Sequence, residues 1–217
     1  MYSLTKAAFG LLLIVSVPVS NHAAAQIPGI QDDGWHTWQV PAVDGAPDLC
    51  CYNWRSGNMS KRHCDLNGRT GGFGSTDDPE RADEDVQIYV FMEGSSVSKI
   101  RALSSDCPVT VNSKIVDLGP IDADDSAEWL KLLVSSSRRN SAGAIAAIAV
   151  HEGSRARDIL VDTASHGLSK DHREEAIFWM AQARVSETAD ALKNFVFEDE
   201  DPDIREHAAF SYAQSTA

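Results

Sequence analysis

The stretch REEAIFWMAQ at residues 173–182 returns 32 positions later as REHAAFSYAQ at residues 205–214. A fainter copy, AIAAIA at residues 144–149, lies 32 positions upstream of residues 176–181. A fixed period of this size is typical of stacked helical arrays, whose usual role is to hold another molecule. The repeat therefore predicts an α-helical array and favours a binding function.

Apolar residues recur at i, i+3 and i+4 within each copy, which is the spacing of one helix face. The predicted helices lie near residues 139–151, 155–165, 171–183, 187–197 and 202–214. A further helix is expected before them, with Ser126 as its N-cap residue. Phe178, Trp179 and Phe210 are expected in the core, because they follow the same pattern as the aliphatic residues.

The predicted array holds two helix pairs and one unpaired final helix. Pro202 suits the first turn of that helix, where its missing N–H costs nothing. Because the ends of stacked arrays need a polar cap, self-association through this uncapped C-terminal helix is expected as one way of covering it. The favoured explanation is a shortened version of a longer array, and packing of the last helix on the β-rich residues 26–120 would explain the same ending.

Two of the copies share a longer motif. Its members are Asp201, Pro202, Asp203, Arg205 and Glu206 in the last copy, and Asp171, Arg173, Glu174, Ala176, Phe178, Ala181 and Gln182 in the one before. Over residues 139–217 the motif resembles the short bacterial HEAT repeat, and the chain as a whole resembles exported bacterial HEAT-repeat proteins. The resemblance implies an α-solenoid that acts as an adaptor or scaffold. The first copy departs from it, because Ser141 stands where the other copies have arginine.

The first 25 residues have the pattern of a signal peptide. Lys6 precedes an apolar run at residues 7–19, and Ala23 and Ala25 supply the small residues that signal peptidase accepts. Cleavage is predicted before Gln26, with a periplasmic or secreted mature protein. No later segment has the roughly 20 apolar residues that a membrane span needs.

The charge of the chain excludes one class of partner. It carries 19 Lys and Arg against 32 Asp and Glu, a formal net charge of −13. Nucleic-acid binding depends on basic residues that neutralise phosphates, so nucleic acid is not expected as a partner.

Four cysteines predict disulfides, because an exported chain meets an oxidising compartment. The residues are Cys50, Cys51, Cys64 and Cys107. Pairing the two adjacent cysteines would strain the peptide between them. Two pairings remain open: Cys50–Cys64 with Cys51–Cys107, or Cys50–Cys107 with Cys51–Cys64. The spacing lacks the paired knuckle of a zinc ribbon, so no metal is expected.

Residues 26–120 are predicted to form a β-rich module and residues 121–217 the helical array, which gives an α+β chain. Alternating apolar residues predict strands at 35–40, 86–91 and 97–103, with shorter ones at 106–111 and 114–118. The segment between residues 53 and 85 is rich in Gly, Asp and Ser and is expected to be a mobile loop outside the sheet. Its acidic residues lack the spacing of a calcium loop.

The resulting functional prediction is a non-catalytic protein-binding or scaffold protein of the cell envelope, with no cofactor. Its partner is expected to be another exported or membrane-attached protein, bound by exposed residues such as Arg184, Glu187 and Lys193. No nucleophile elbow and no HExxH pair occurs. The alternative prediction is a cysteine-centred redox or metal-dependent sensor or enzyme, supported by the repeats.

Overall fold

The computed structural model describes residues 27–30, 32–55, 58–68, 73–74, 85–136 and 138–215. The predicted signal peptide and the acidic segment 77–84 lie outside these residues. The described strands are β1 Gly34–Pro41, β2 Cys50–Arg55, β3 Asn58–Arg62, β4 Cys64–Asp65, β5 Phe73–Gly74, β6 Asp85–Glu93, β7 Ser96–Ser104, β8 Val109–Thr110 and β9 Ile115–Pro120. The described helices are α1 Ala123–Val134, α2 Arg138–Ala149, α3 Ser154–His166, α4 Lys170–Ala183, α5 Val185–Glu198 and α6 Pro202–Ser215.

Four strands form the main sheet, in the order β7-β6-β1-β9. Strand β6 pairs antiparallel with both β1 and β7, whereas β9 runs parallel to β1. The predicted strands at 35–40, 86–91 and 97–103 are confirmed. Strand β6 is rich in β-branched and aromatic side chains, which fit a pleated surface that is covered by neighbours.

Both faces of this sheet are buried. Trp38 and Ile88 belong to a core shared with the helices, whereas Trp35 and Tyr89 pack with the four cysteines on the other side. Because successive side chains of a strand point to opposite faces, β1 can serve both cores at once. The sheet is therefore a middle layer between the cysteine-containing segment and the helices.

The cysteine-containing segment corrects one prediction. The segment between residues 53 and 85 was expected to be a mobile loop outside the sheet. Its described strands lie outside the main sheet but are not a loop, because β2 and β3 pair antiparallel, with Tyr52 opposite Lys61, and β5 joins the other edge of β2. Strand β4 pairs with β8. The disulfides Cys50–Cys107 and Cys51–Cys64 hold these short strands, so the second of the two predicted pairings is the one observed.

Helix α1 begins differently from the prediction. Its N-cap is Asp122, whose Oδ1 accepts hydrogen bonds from the backbone N–H groups of Asp124 and Asp125 at 3.0 and 3.2 Å. Ser126 lies one turn inside the helix and is fully buried. The expectation that Ser126 caps this helix is wrong, because a carboxylate four residues earlier already accepts the exposed N–H groups.

The six helices stack in two layers. Helices α2, α4 and α6 contact one another in sequence, α1, α3 and α5 form the second layer, and α2 also packs on strand β7. Helix α6 packs against both α4 and α5, so the prediction of an unpaired final helix is wrong. Since α1 joins the stack, the helices pair as α1–α2, α3–α4 and α5–α6.

Helices α4 and α6 differ in burial at equivalent positions. Ile177 and Ala181 of α4 are 0% and 1% exposed, whereas their equivalents 32 positions later, Ala209 and Ala213, are exposed. At an exposed position, Ala presents less apolar area to solvent than Ile would. Phe210 is 61% exposed, so its expected place in the core is wrong, because the described residues cover less than half of its side chain.

A single hydrophobic core runs from the sheet through both helix layers, from Val86 in β6 to Ala208 in α6. The predicted β module and the predicted helical array thus share their interior. Among the described residues, no helix has the length and apolar character required to span a bilayer.

Candidate binding cleft

Arg184 lies in the interior, which corrects the expectation that it is exposed. The residue is 1% exposed, and its guanidinium donates to the backbone carbonyls of Ala149, His151 and Gly153 at 3.4, 2.5 and 2.7 Å. These carbonyls lie at the C-terminal end of α2 and in the turn after it, where helices leave acceptors without partners. Arg184 therefore supplies, from a buried position, the hydrogen bonds that these carbonyl groups at the end of α2 would otherwise lack.

The other two predicted binding residues do not form a common surface with it. Glu187 accepts two hydrogen bonds from the Arg184 guanidinium, at 2.9 and 2.7 Å, and so neutralises that buried charge. Lys193 is exposed on α5 and forms an ion pair with Asp190 at 3.4 Å. Of the three, Glu187 and Lys193 are exposed as predicted, and Arg184 is not.

The four cysteines form a compact buried cluster. Cys64 Sγ lies 3.7 Å from Cys107 Sγ of the neighbouring disulfide, and all four residues are at most 7% exposed. Three of the sulfur atoms are close enough to hold a metal ion if they were thiolates. Because every cysteine of the chain is in a disulfide, none offers a thiolate as ligand or nucleophile in this state.

A serine and a histidine also approach each other as a nucleophile and base would. Ser126 Oγ lies 2.8 Å from His151 Nε2. Both residues are 0% exposed, Trp38 Nε1 donates to Ser126 Oγ at 2.8 Å, and His151 Nδ1 is 2.7 Å from the Ala147 carbonyl. The resulting chain of hydrogen bonds joins β1, α1 and α2, and it gives a substrate no access.

An open cleft of about 410 Å³ lies between α2, α4 and α6. The residues that line it include Ile145 of α2, four residues of α4 (His172, Glu174, Glu175 and Phe178), and His207 of α6. The cleft lies where α2, α4 and α6, which carry equivalent positions of the 32-residue repeat, stack side by side. Acidic, aromatic and imidazole groups thus face one opening.

Glu175 is the best-defined acidic group in this cleft. Its Oε1 accepts a hydrogen bond from Trp179 Nε1 at 2.8 Å. No Lys or Arg among the described residues forms an ion pair with it. Burial raises the pKa of Glu175, and the Trp179 hydrogen bond and the neighbouring His207 oppose that rise. Its carboxylate is therefore short of compensating positive charge.

The two histidines differ in how they are held. His207 Nε2 donates to the Glu174 carbonyl at 2.9 Å, which ties α6 to α4. His172 is 8% exposed, and its buried Nδ1 has no hydrogen-bond partner among the described residues. A buried polar atom without a partner is uncommon and costs stability unless a ligand or water completes it. His172, in the wall of the cleft, thus leaves one buried ring nitrogen without a hydrogen bond among the described residues.

Sequence reasoning missed this cleft. Glu175, His172 and His207 were not among the predicted binding residues. The available signal was variation within the repeat, since position 175 is Glu where its equivalents are Gly143 and His207.

A larger cavity of about 970 Å³ lies between the β6–β7 turn, α1 and the segment 27–30. Its rim includes Ile27 and Ser136, which adjoin residues outside the described part of the chain.

Comparisons with protein-family models, with curated proteins and with solved structures found no match. The resemblance to HEAT repeats consequently stays a prediction.

Proposed function

We propose that this protein is a non-catalytic binding protein of the cell envelope, which engages another exported or membrane-attached protein through the layer of α2, α4 and α6. One observation carries the proposal: the open cleft between these helices, with aromatic Phe178 in its wall. Phe210, one turn after His207, is exposed at the equivalent position of α6. Aromatic side chains held on rigid helices are typical anchors of protein interfaces.

The repeat supports the same proposal. With a 32-residue period and two stacked layers, the helices form what we interpret as a short HEAT-like solenoid, in which equivalent positions share one face. The disulfides support an exported location, because such bonds persist in oxidising compartments.

The test is a binding measurement with an identified partner. The full chain, carrying a photo-crosslinker on α4 or α6, would be exposed to envelope proteins of the source organism, and the crosslinked protein identified by mass spectrometry. The purified pair would then be studied by calorimetry. Phe210→Ser should weaken binding roughly tenfold, the effect of losing an interface aromatic. Its matched control is Phe197→Ser, since Phe197 is 74% exposed on α5 in the other layer.

Two results would contradict the proposal. Equal dissociation constants for Phe210→Ser and the unchanged protein would remove the α2, α4 and α6 layer from the interface. A loss confined to Phe197→Ser or Lys193→Glu would place the interface on α5 instead. Thermal stability of each variant should stay close to that of the unchanged protein, because all three side chains are exposed.

A further inference from the structure

We infer that the cleft between α2, α4 and α6 receives one arginine side chain of the partner polypeptide, held by Glu175, Glu174 and His172. This inference rests on the proposed function and names the chemistry that the partner must present. Its basis is the combination of an uncompensated carboxylate, an unpartnered buried acceptor and an aromatic wall in one opening.

The negative charge of the cleft favours a cationic ligand. Glu175 has one hydrogen bond, from a neutral indole, and no basic partner among the described residues. Glu174 is 3.9 Å from Lys170, which also contacts Asp203 on α6 and so shares its charge between two carboxylates. A guanidinium placed between the two glutamates would add charge-assisted hydrogen bonds, which are stronger than neutral ones.

The buried Nδ1 of His172 favours a ligand with several hydrogen-bond donors. In the tautomer with its proton on Nε2, the Nδ1 atom accepts a hydrogen bond, and none is present among the described residues. A guanidinium has five N–H donors in one plane, so it can serve a carboxylate and an imidazole together. An ammonium group is a compact point charge and matches separated acceptors less well.

The remaining walls suit the rest of an arginine side chain. Phe178 and Ile145 supply apolar surface against which its methylene groups can pack, and Phe178 can also contact the cation through its ring face. The volume of about 410 Å³ admits one long side chain with water rather than a folded segment. The inference is therefore one inserted residue, with the partner backbone outside the cleft near Phe210.

The experiment uses the full chain labelled with ¹⁵N and N-acetyl-arginine amide as probe. The reporter is the indole N–H resonance of Trp179, because this group donates directly to Glu175. The other four tryptophans serve as internal references. We expect a saturable shift at Trp179, and none with N-acetyl-citrulline amide, which has a similar shape without the charge.

Variants identify the residues that hold the probe. Glu175→Gln keeps an oxygen for the Trp179 hydrogen bond but loses the charge, and His172→Phe loses the acceptor. Each should raise the dissociation constant at least about fivefold, as expected for a charge-assisted hydrogen bond in a partly open site. Glu198→Gln is the matched control, since it makes the same chemical change on the exposed surface of α5 and should leave binding unchanged.

Several results would overturn the inference. These are an equal shift with citrulline amide, unchanged affinity in both cleft variants, or a Trp179 shift produced by spermidine but not by arginine amide. The last result would make the cleft a polyamine site. If binding of the identified partner depends on Phe210 but not on Glu175, the inference fails while the proposed function stands. If the arginine probe binds and no polypeptide partner does, both fail.

Discussion

The buried imidazole of His151 makes stability depend on pH in a way that can be calculated. Burial, together with the nearby Arg184 charge, lowers the pKa of His151 to about 4, although the hydrogen bond to the Ala147 carbonyl opposes this shift. In the unfolded chain a histidine titrates near 6.5. The folded protein therefore binds fewer protons than the unfolded chain at pH values between about 4 and 6.5.

The sign and size follow from this difference. Because the unfolded state gains the proton first, the free energy of unfolding falls as pH decreases through that window, and it is fully recovered above about pH 6.5. The complete shift corresponds to roughly 3 kcal/mol, and about 2 kcal/mol of it should be lost between pH 7 and pH 4.5. Protonation would also place a donor at Nε2, where the Ser126 hydroxyl now donates.

Urea unfolding of the full chain at pH 7 and pH 4.5, without reductant, measures the effect. His151→Gln should be less stable at pH 7 but should lose about 2 kcal/mol less than the unchanged protein on acidification. Contributions from Glu175 and Asp48 are common to both proteins and cancel in this difference. His166→Gln, which changes an exposed histidine, is the control and should keep the full pH dependence. Equal pH dependence in His151→Gln and the unchanged protein would refute the reasoning.

Three further predictions concern stability and can be checked by chemical denaturation. Replacing Cys50 and Cys107 by serine should cost about 4 kcal/mol, because their bridge spans 57 residues; a cost below about 1 kcal/mol would contradict the chain-entropy argument. Arg184→Lys should cost about 3 kcal/mol, since one ammonium cannot reach three carbonyls and a carboxylate together, and a neutral result would show that the guanidinium geometry is not needed. Ile177→Ala should lower the free energy of unfolding by about 3 kcal/mol, whereas Ala209→Ile at the equivalent exposed position should change it by less than about 1 kcal/mol. Equal effects of the two substitutions would mean that α6 does not cover α4.

The helices were predictable because their signal is local and repeated. The predicted ranges 155–165 and 171–183 lie within a residue of α3 and α4, since apolar spacing and the glycines at 153 and 167 define both ends. The hairpin of β2 and β3 was not predictable in the same way. Its polar residues resemble a loop, and its strands are held by disulfides whose partners cannot be paired from sequence alone.

The burial of Arg184 shows why binding residues were harder to predict than helices and strands. A charged residue at a break between helices is usually exposed, and that was the expectation. Its acceptors at Ala149, His151 and Gly153 are more than 30 residues away, so the burial arises only after α2 and α4 stack. A local pattern contains no information on such a contact.

The repeat separates residues that hold the helices from residues that can differ in function. Arg173 and Arg205 recur because each donates to a carbonyl near the end of a preceding helix, Ala164 and Asp199 respectively, at 2.7 Å.

The residue two positions after each arginine, or after Ser141 in the first copy, is not the same in any two copies of the repeat. In α2 it is Gly143, where an added Cβ would lie 3.1 Å from Ile100 Cβ, so a side chain there would be crowded against the sheet. In α4 and α6 the same position is Glu175 and His207, which lie close enough for the imidazole to lower the carboxyl pKa. Both residues line the cleft, so in α4 and α6 that position supplies polar groups to it. We therefore expect the residues that bind a ligand to lie at the position that differs between copies of the repeat, and not at the arginine position that recurs.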